Sequence, residues 1–278
     1  MVANARKLRA IYTNDRKCDM LDARMLAKLA RVDPELLHPI EHCCEENQIH
    51  RMAITLRDSL VRQRVNIISS IRCTLKSLGI RLPACATVYF VKYCRQELKG
   101  SPFFDVVERS LKTLEAIDQS IKEYEKHIRG TAAKHYQETK LLEQIPGVGP
   151  ITSLSFVLAV GDPQRFKDPR DVGAYFGLVP RRDQSGDTDK QLPISKAGNS
   201  NMGRLLVQCA QYILGRFGPD CDLRDYGLRL AARGGKAAKK KAVIATARKL
   251  GVLMLVLWKS GQTYEPMRNC TANESAAA

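Results

Sequence analysis

Residues 141–161 read LLEQIPGVGPITSLSFVLAVG, and how this stretch is read decides the kind of fold the chain adopts. Two apolar segments flank a Pro-Gly-Val-Gly-Pro turn, so the spacing predicts a helix, a tight turn and a second helix, a helix-hairpin-helix pattern. Gly147 and Gly149 permit positive φ and leave turn amides uncovered at the start of the second helix. There the N–H groups and the helix dipole can hold a phosphate oxygen. Such a contact grips the nucleic-acid backbone and reads no bases. A dinucleotide site would need a third glycine and a preceding strand, and a nucleotide P-loop would need Gly-Lys-Ser/Thr. A turn that only joins two helices uses the same residues.

Downstream, residues 171–199, DVGAYFGLVPRRDQSGDTDKQLPISKAGN, join a short aromatic helix to a polar loop. Ser185 stands before a glycine among Arg181, Arg182 and Lys190, and Ser195 stands beside Lys196 as a candidate cap for the next helix, which carries Arg204. Either hydroxyl can attack a phosphodiester where arginines neutralise the phosphate and a base or metal activates the oxygen. A turn serine that only bonds nearby backbone fits equally, and composition does not choose between the two. Residues 223–259 hold Arg224, Arg229, Arg233, Lys236, Lys239, Lys240, Lys241, Arg248 and Lys249 against one acid, Asp225. An amphipathic helix pair with a basic face, broken at Gly234-Gly235, is expected there, and the chain after Tyr264 is expected to be disordered.

Upstream, Ile49, Met52, Leu56, Leu60, Ile67, Ile71, Leu75 and Leu78 form an apolar seam on a long helix from about residue 46 to 78. Val107, Leu114, Ile121 and Ile128 stand seven apart on a second, from about 103 to 128. With a shorter helix between them at about 83–98, they read as an antiparallel or intermolecular coiled coil, built for packing and assembly. His38, His42, Cys43 and Cys44 lack a recognised metal-ligand spacing. Near the N-terminus Asp19 and Asp22 sit three residues apart at a helix start. As a cap and a first-turn anion they favour the helix dipole, and as half of a divalent-metal site they need further carboxylates.

The chain has 278 residues, with 45 Lys or Arg against 29 Asp or Glu, a formal net charge of +16. That excess makes a polyanion the first partner to consider. At 44% apolar and 27% charged residues the chain has the composition of a folded protein rather than a disordered one. The apolar run Leu250–Trp258 falls far short of the roughly 18 residues that span a bilayer, and nine cysteines without a Cys-x-x-Cys pair fit a reducing cytosol better than disulfides or a zinc ribbon. The expectation is a protein of the cytoplasm, neither membrane-bound nor secreted.

Taken in order, IPGVGPITSLSFVLAVGDPQRF, AYFGLVPRRDQSG, ISKAGN and RLLVQCAQYIL resemble the C-terminal domain of the DEDD transposases of bacterial insertion sequences, a group that includes the Piv-type invertases and bridge-RNA-guided recombinases. NARKLRAIYTNDRKCDMLDARMLAKLAR resembles the end of their RuvC-like, RNase H-fold domain. The resemblance implies a mainly α chain in four parts: a RuvC-like remnant over 1–45, coiled-coil helices over 46–135, a transposase domain with the helix-hairpin-helix over 140–266, and a disordered tail over 267–278. It implies Ser185 as nucleophile, with Ser195 as alternative, and Asp19 and Asp22 as Mg2+-binding acids. It also implies DNA contacts from Gly147, Gly149, Arg181, Arg182, Lys196, Arg204, Lys236, Lys239, Lys240 and Lys241. DNA, a structured guide RNA and further copies of the chain are the implied partners, and bacterial cytoplasm the implied location. Relatives begin with a strand carrying Asp and supply a Glu on a later strand, which this sequence lacks, and Gly203 replaces an expected cation. The expectation is therefore a truncated transposase with an incomplete metal site. A non-catalytic nucleic-acid-binding remnant is the alternative; a helix-hairpin-helix repair nuclease fits less well, since no catalytic acids or lysine cluster near the hairpin.

Overall fold

The computed structural model describes residues 2–4, 7–8, 18–37, 39–40, 43–185 and 188–268, so His38, His42 and the segment 269–278 lie outside the described residues. The described chain is mainly α, and it divides into two compact units, Met1–Gln48 and Ile49–Ala278.

In the first unit, β1 (Val2–Ala3) pairs antiparallel with β2 (Pro39–Ile40), Val2 opposite Ile40. A helix, α1 (Asp19–Val32), and a 3-10 turn at Pro34–Leu37 complete it, with Leu8 and Leu37 buried. The expectation that Asp19 caps α1 is corrected. Cys18 holds the cap position in an extended conformation, and its carbonyl accepts from Leu21 N at 2.9 Å and Asp22 N at 3.0 Å. Asp19 is thus already helical, and both carboxylates lie in the first turn, where the dipole favours negative charge.

In the second unit, α2 (Glu45–Ser77, from Ile49 onward) and α4 (Phe104–His135) run antiparallel within the one chain. Arg57 pairs with Glu125, Arg64 Nη1 with Asp118 Oδ1 at 3.0 Å, and His50 Nδ1 with the hydroxyl of Tyr136, the C-cap of α4, at 2.8 Å, the partners descending along α4 as they ascend on α2. Between them α3 (Phe90–Glu97) seats Phe90 and Cys94, with Leu98 beyond it, against Ile71, Leu75, Leu111 and Leu114. Arg95 grips Glu108 and Glu115 of α4, closing the α3–α4 corner.

The seam read on α4 is buried at Leu114, Ile121 and Ile128, but the seam read on α2 holds only in its second half, at Ile71 and Leu75. In the first half Ile49, Met52 and Leu56 are exposed, and Ala53, Ile54 and Asp58 face inward. A search for large apolar side chains passes over that face because its centre is a carboxylate. Asp58 is buried because Arg204 neutralises it and Arg62 Nη2 lies 3.3 Å from its other oxygen.

The rest of the second unit consists of α5 (Glu138–Leu142), α6 (Pro150–Val160), α7 (Asp171–Tyr175), a hairpin of β3 (Pro180–Ser185) and β4 (Thr188–Ile194), α8 (Ser200–Leu214), α9 (Asp222–Ala231) and α10 (Gly235–Ser260). Every residue of α6 from Thr152 to Val160 is buried, as suits a helix apolar on all sides at the centre of a core. Phe156 and Val160 share one buried core with Phe176, Leu206, Ile213, Leu250 and Met254, and each large side chain so buried contributes about 1.5–3 kcal/mol. The chain remains attached past Tyr264: Tyr264 N donates to Gln144 Oε1 at 3.0 Å, and Asp222 N to the Pro266 carbonyl at 2.8 Å. Among the described residues no helix is long and apolar enough to cross a membrane.

Candidate nucleic-acid interface

The Pro-Gly-Val-Gly-Pro turn joins α5 to α6. Gly147 has φ +82°, and a Cβ there would lie 2.9 Å from Tyr212 Cδ1, so this position requires glycine. Gly149 differs: it is the N-cap of α6 at φ −107°, with nothing within 4 Å of a Cβ, and Pro150 follows at the first helical position. No side chain caps this helix end. Ser153 Oγ donates to Glu143 Oε1 at 2.8 Å, so a carboxylate of the chain already stands beside the first turn, a contact that spacing alone does not reveal.

The expected polar loop around Ser185 is largely a strand pair. β3 and β4 are antiparallel, with Asp183 opposite Lys190 and Ser185 opposite Thr188. All six residues of β3 are exposed, so neither face carries an apolar alternation that a sequence reading could detect. Ser185 ends β3, exposed, next to residues 186–187, which lie outside the described set. Arg181 is exposed on the same strand. Arg182 clasps Asp189 across the hairpin, Nε to Oδ1 at 2.8 Å and Nη2 to Oδ2 at 2.6 Å, which holds the Asp189 carboxyl below its ordinary range.

Ser195 is half-buried, and its Oγ accepts from Ala197 N at 3.4 Å. It does not cap the following helix: Asn199 does, its Oδ1 accepting from Met202 N at 3.1 Å. Three residues separate Ser195 from Asn199, and the intervening Lys196-Ala197-Gly198 is a tight loop in which Lys196 has φ 51° and Gly198 φ 102°. Lys196 is exposed. Arg204 is engaged with Asp58 and with Asn201 Oδ1 at 2.6 Å, an anchor of α8 on α2. Arg204→Ala is expected to lower stability by about 1–3 kcal/mol in urea unfolding, because it leaves the buried Asp58 with only Arg62. Arg181→Ala, at an exposed site, is expected to stay within about 0.5 kcal/mol.

Lys236, Lys239, Lys240 and Lys241 are all exposed in the first two turns of α10, a helix whose first turn carries no acid. Cations at a helix N-terminus oppose the dipole, and Lys236 and Lys240 repel one another at i,i+4. The cluster is locally unfavourable to its own helix, a cost that a polyanion relieves.

Asp19 is exposed and Asp22 half-buried in the first turn of α1. Among the described residues no group of three or more His, Cys, Asp or Glu side chains is placed to hold a metal ion. Two carboxylates fall short of the several oxygens a magnesium centre takes, so the pair by itself does not fit one.

Two family models match the chain: one described as a transposase, of the DEDD IS110 group, over residues 2–80, and one described as the transposase IS116/IS110/IS902 family over residues 139–225. The second spans the α5–α6 turn, the β3–β4 hairpin and α8. The transposase for insertion sequence element IS1111A of Coxiella burnetii is 28% identical over 261 residues, covering 91% of this chain and 70% of that protein. The transposase for insertion sequence element IS1328 of Yersinia enterocolitica is 30% identical over 207 residues, covering 74% of this chain and 61% of that protein. The pilin gene-inverting protein of Moraxella bovis is 29% identical over 126 residues, 45% of this chain and 38% of that protein. With both models of one transposase group matched in order, and relatives aligned over most of its length, the chain belongs to the IS110/IS116 family of transposases.

Proposed function

We propose that the second unit binds DNA and that Ser185 breaks a strand in a recombination reaction. The observation that carries the reading is the placement of Ser185 at the exposed end of β3, within the segment matched to the transposase family and on the same strand as Arg181, four residues away. The serine Oγ attacks phosphorus, and a P–Oγ ester forms as the bond from phosphorus to the 3′ oxygen breaks. The hydroxyl proton passes to a base, and the departing oxygen takes up a proton. The products are a 5′-phosphoseryl end and a free 3′ hydroxyl. Arg181 would offset charge gathering on the phosphate; Arg182 does so only by leaving Asp189. The α5–α6 turn, with Gly147 and Gly149, and Lys196 supply further phosphate contacts. Asp19 and Asp22 would contribute to a Mg2+ site only together with further carboxylates, and no step above depends on them. The exposed stripe Ile49, Met52 and Leu56 is the face we assign to pairing with a second copy, and a structured guide RNA is a further partner of the same basic surface.

Incubating the protein with DNA carrying a nick near the cleavage position, which lets the released strand diffuse away, tests the reading. A slow band on a denaturing gel that protease removes is the expected result. DNA that is bound but never joined to protein under any Mg2+ concentration would favour a second reading, a protein that only coats nucleic acid. The lysine cluster of α10 supports binding in either case. Replacing Lys236, Lys239, Lys240 and Lys241 by Gln is expected to weaken duplex binding about 10–100-fold at 0.1 M salt. The same change should flatten the salt dependence by roughly two to four counterions. Because those lysines oppose their own helix dipole, Tm should hold or rise.

A further inference from the structure

Residues 190–219 carry Lys190, Lys196, Arg204 and Arg216 and no acid. Near the end of this stretch stands Phe217, 82% exposed, the most exposed large apolar side chain among the described residues. A single apolar side chain in water is ordinary. What sets Phe217 apart is how firmly its loop is built.

The loop leaves the C-terminal end of α8, where Gly215 is the cap. Arg224 Nη1, reaching over from α9, donates to the carbonyls of Ile213 and Gly215, the second at 2.8 Å, and the Arg224 side chain is only 17% exposed. Gly218 N donates to the Gly215 carbonyl at 3.2 Å and turns the chain back on the helix end. A Cβ at Gly218 would stand 2.0 Å from the Ile213 carbonyl oxygen and 2.7 Å from Arg224 Nη1, so this close approach admits only glycine. Three residues on, Cys221 is fully buried. Phe217 is thus held between a braced helix end and a buried anchor, and a ring presented in one pose is spared the ordering cost that a loose loop pays on binding.

The surroundings of the ring select its ligand. The exposed Arg216 places its guanidinium 5.8 Å from the Phe217 ring centroid. The acid of the loop, Asp220, stands by Arg224, 3.7 Å from its Nε. One turn back on α8, Tyr212 is 50% exposed, and the Pro-Gly-Val-Gly-Pro turn rests on it, with Gly147 too close to Tyr212 Cδ1 to carry a Cβ. The turn assigned above to phosphate contact and the Phe217 loop therefore flank the same helix end. A protein partner needs a broad apolar patch, and Gly215, Arg216, Gly218 and Asp220 around the ring offer little of one. A nucleobase needs only a π-face, with a cation for the adjoining phosphate.

We propose that Phe217 is a wedge that enters duplex DNA at a base step and stacks on the base it uncovers, with Arg216 on the neighbouring phosphate. The inference rests on the DNA-binding reading above and adds to it a point at which the duplex is opened.

Binding of the full chain to two duplexes of one sequence, fully paired or with a single central mismatch, tests it. A mismatched step is already partly unstacked, so the wedge enters it at lower cost. Wild type is expected to bind the mismatched duplex about tenfold more tightly than the paired one, Phe217→Ala to lose that preference, and Phe217→Trp to keep it. Salt dependence separates the two side chains. Phe217→Ala removes no charge and should keep the wild-type slope, whereas Arg216→Gln should lower it by about one. With both side chains exposed, Tm should stay within about a degree in every variant. An equal preference in wild type and Phe217→Ala, or no preference in wild type that binds paired duplex, would overturn the wedge and leave the DNA-binding reading standing. Wild type that binds neither duplex would overturn both. Unchanged affinity of Phe217→Ala for both duplexes, with a changed mass in analytical ultracentrifugation, would give the residue to a protein contact and overturn the assignment to DNA.

Discussion

Ser185→Ala is expected to remove the covalent DNA adduct, by about a thousandfold or more, while duplex affinity stays within about twofold and Tm within about a degree. The stability half of this expectation follows from position. Ser185 is exposed at the end of β3, paired with Thr188 through backbone, so its side chain supports no packing. The chemical half follows from covalent catalysis: without Oγ there is no atom to form the phosphoester, and no neighbouring hydroxyl substitutes from the same strand. Ser195→Ala should keep the adduct. Its oxygen is half-buried and turned to the Ala197 amide, and it begins the loop that leads into α8. Loss of the adduct in Ser195→Ala with retention in Ser185→Ala would reverse the assignment.

The largest loss of stability is expected from Gly198→Ala, about 3–5 kcal/mol by urea unfolding. Gly198 has φ 102°, where an L side chain is strained, and a Cβ there would stand 2.0 Å from the Tyr175 carbonyl oxygen. The obstacle is backbone, so no rotamer change relieves it. The loop must either shift away from the C-terminal end of α7 or carry Asn199 out of its capping position, and each route costs contacts that hold α8. Gly149→Ala provides the control. Its φ is −107° and the space around its Cβ is open, so the variant should be within about 0.5 kcal/mol of wild type. An unchanged unfolding midpoint for Gly198→Ala would show that the loop is not seated as described.

These two glycines also mark how far the residues could be read from sequence. The helix-turn-helix over 141–161, the long helices and the basic helix pair were legible because periodicity and Gly/Pro punctuation report local structure directly. α4 continues seven residues past Ile128, through the exposed Gly130, because Thr131 and Ala132 are buried there, and tertiary burial overrides the local preference against glycine. The inward face of the first half of α2 was hidden because Asp58 occupies its centre and its partner Arg204 lies 146 residues away. The β3–β4 hairpin was hidden because both of its faces are wet. The exposed lysine cluster at the start of α10 was legible from charge alone. The roles of Asn199 as cap and Arg224 as brace of the Phe217 loop depend on three-dimensional neighbours that no spacing encodes.

The central claim, that this chain joins itself to DNA through Ser185, is tested most directly by digesting the protein–DNA adduct with protease and nuclease and locating the nucleotide remnant by mass spectrometry. The added mass is expected on the peptide spanning β3, at Ser185. A remnant on Ser195, or on any residue outside the β3–β4 hairpin, would contradict it.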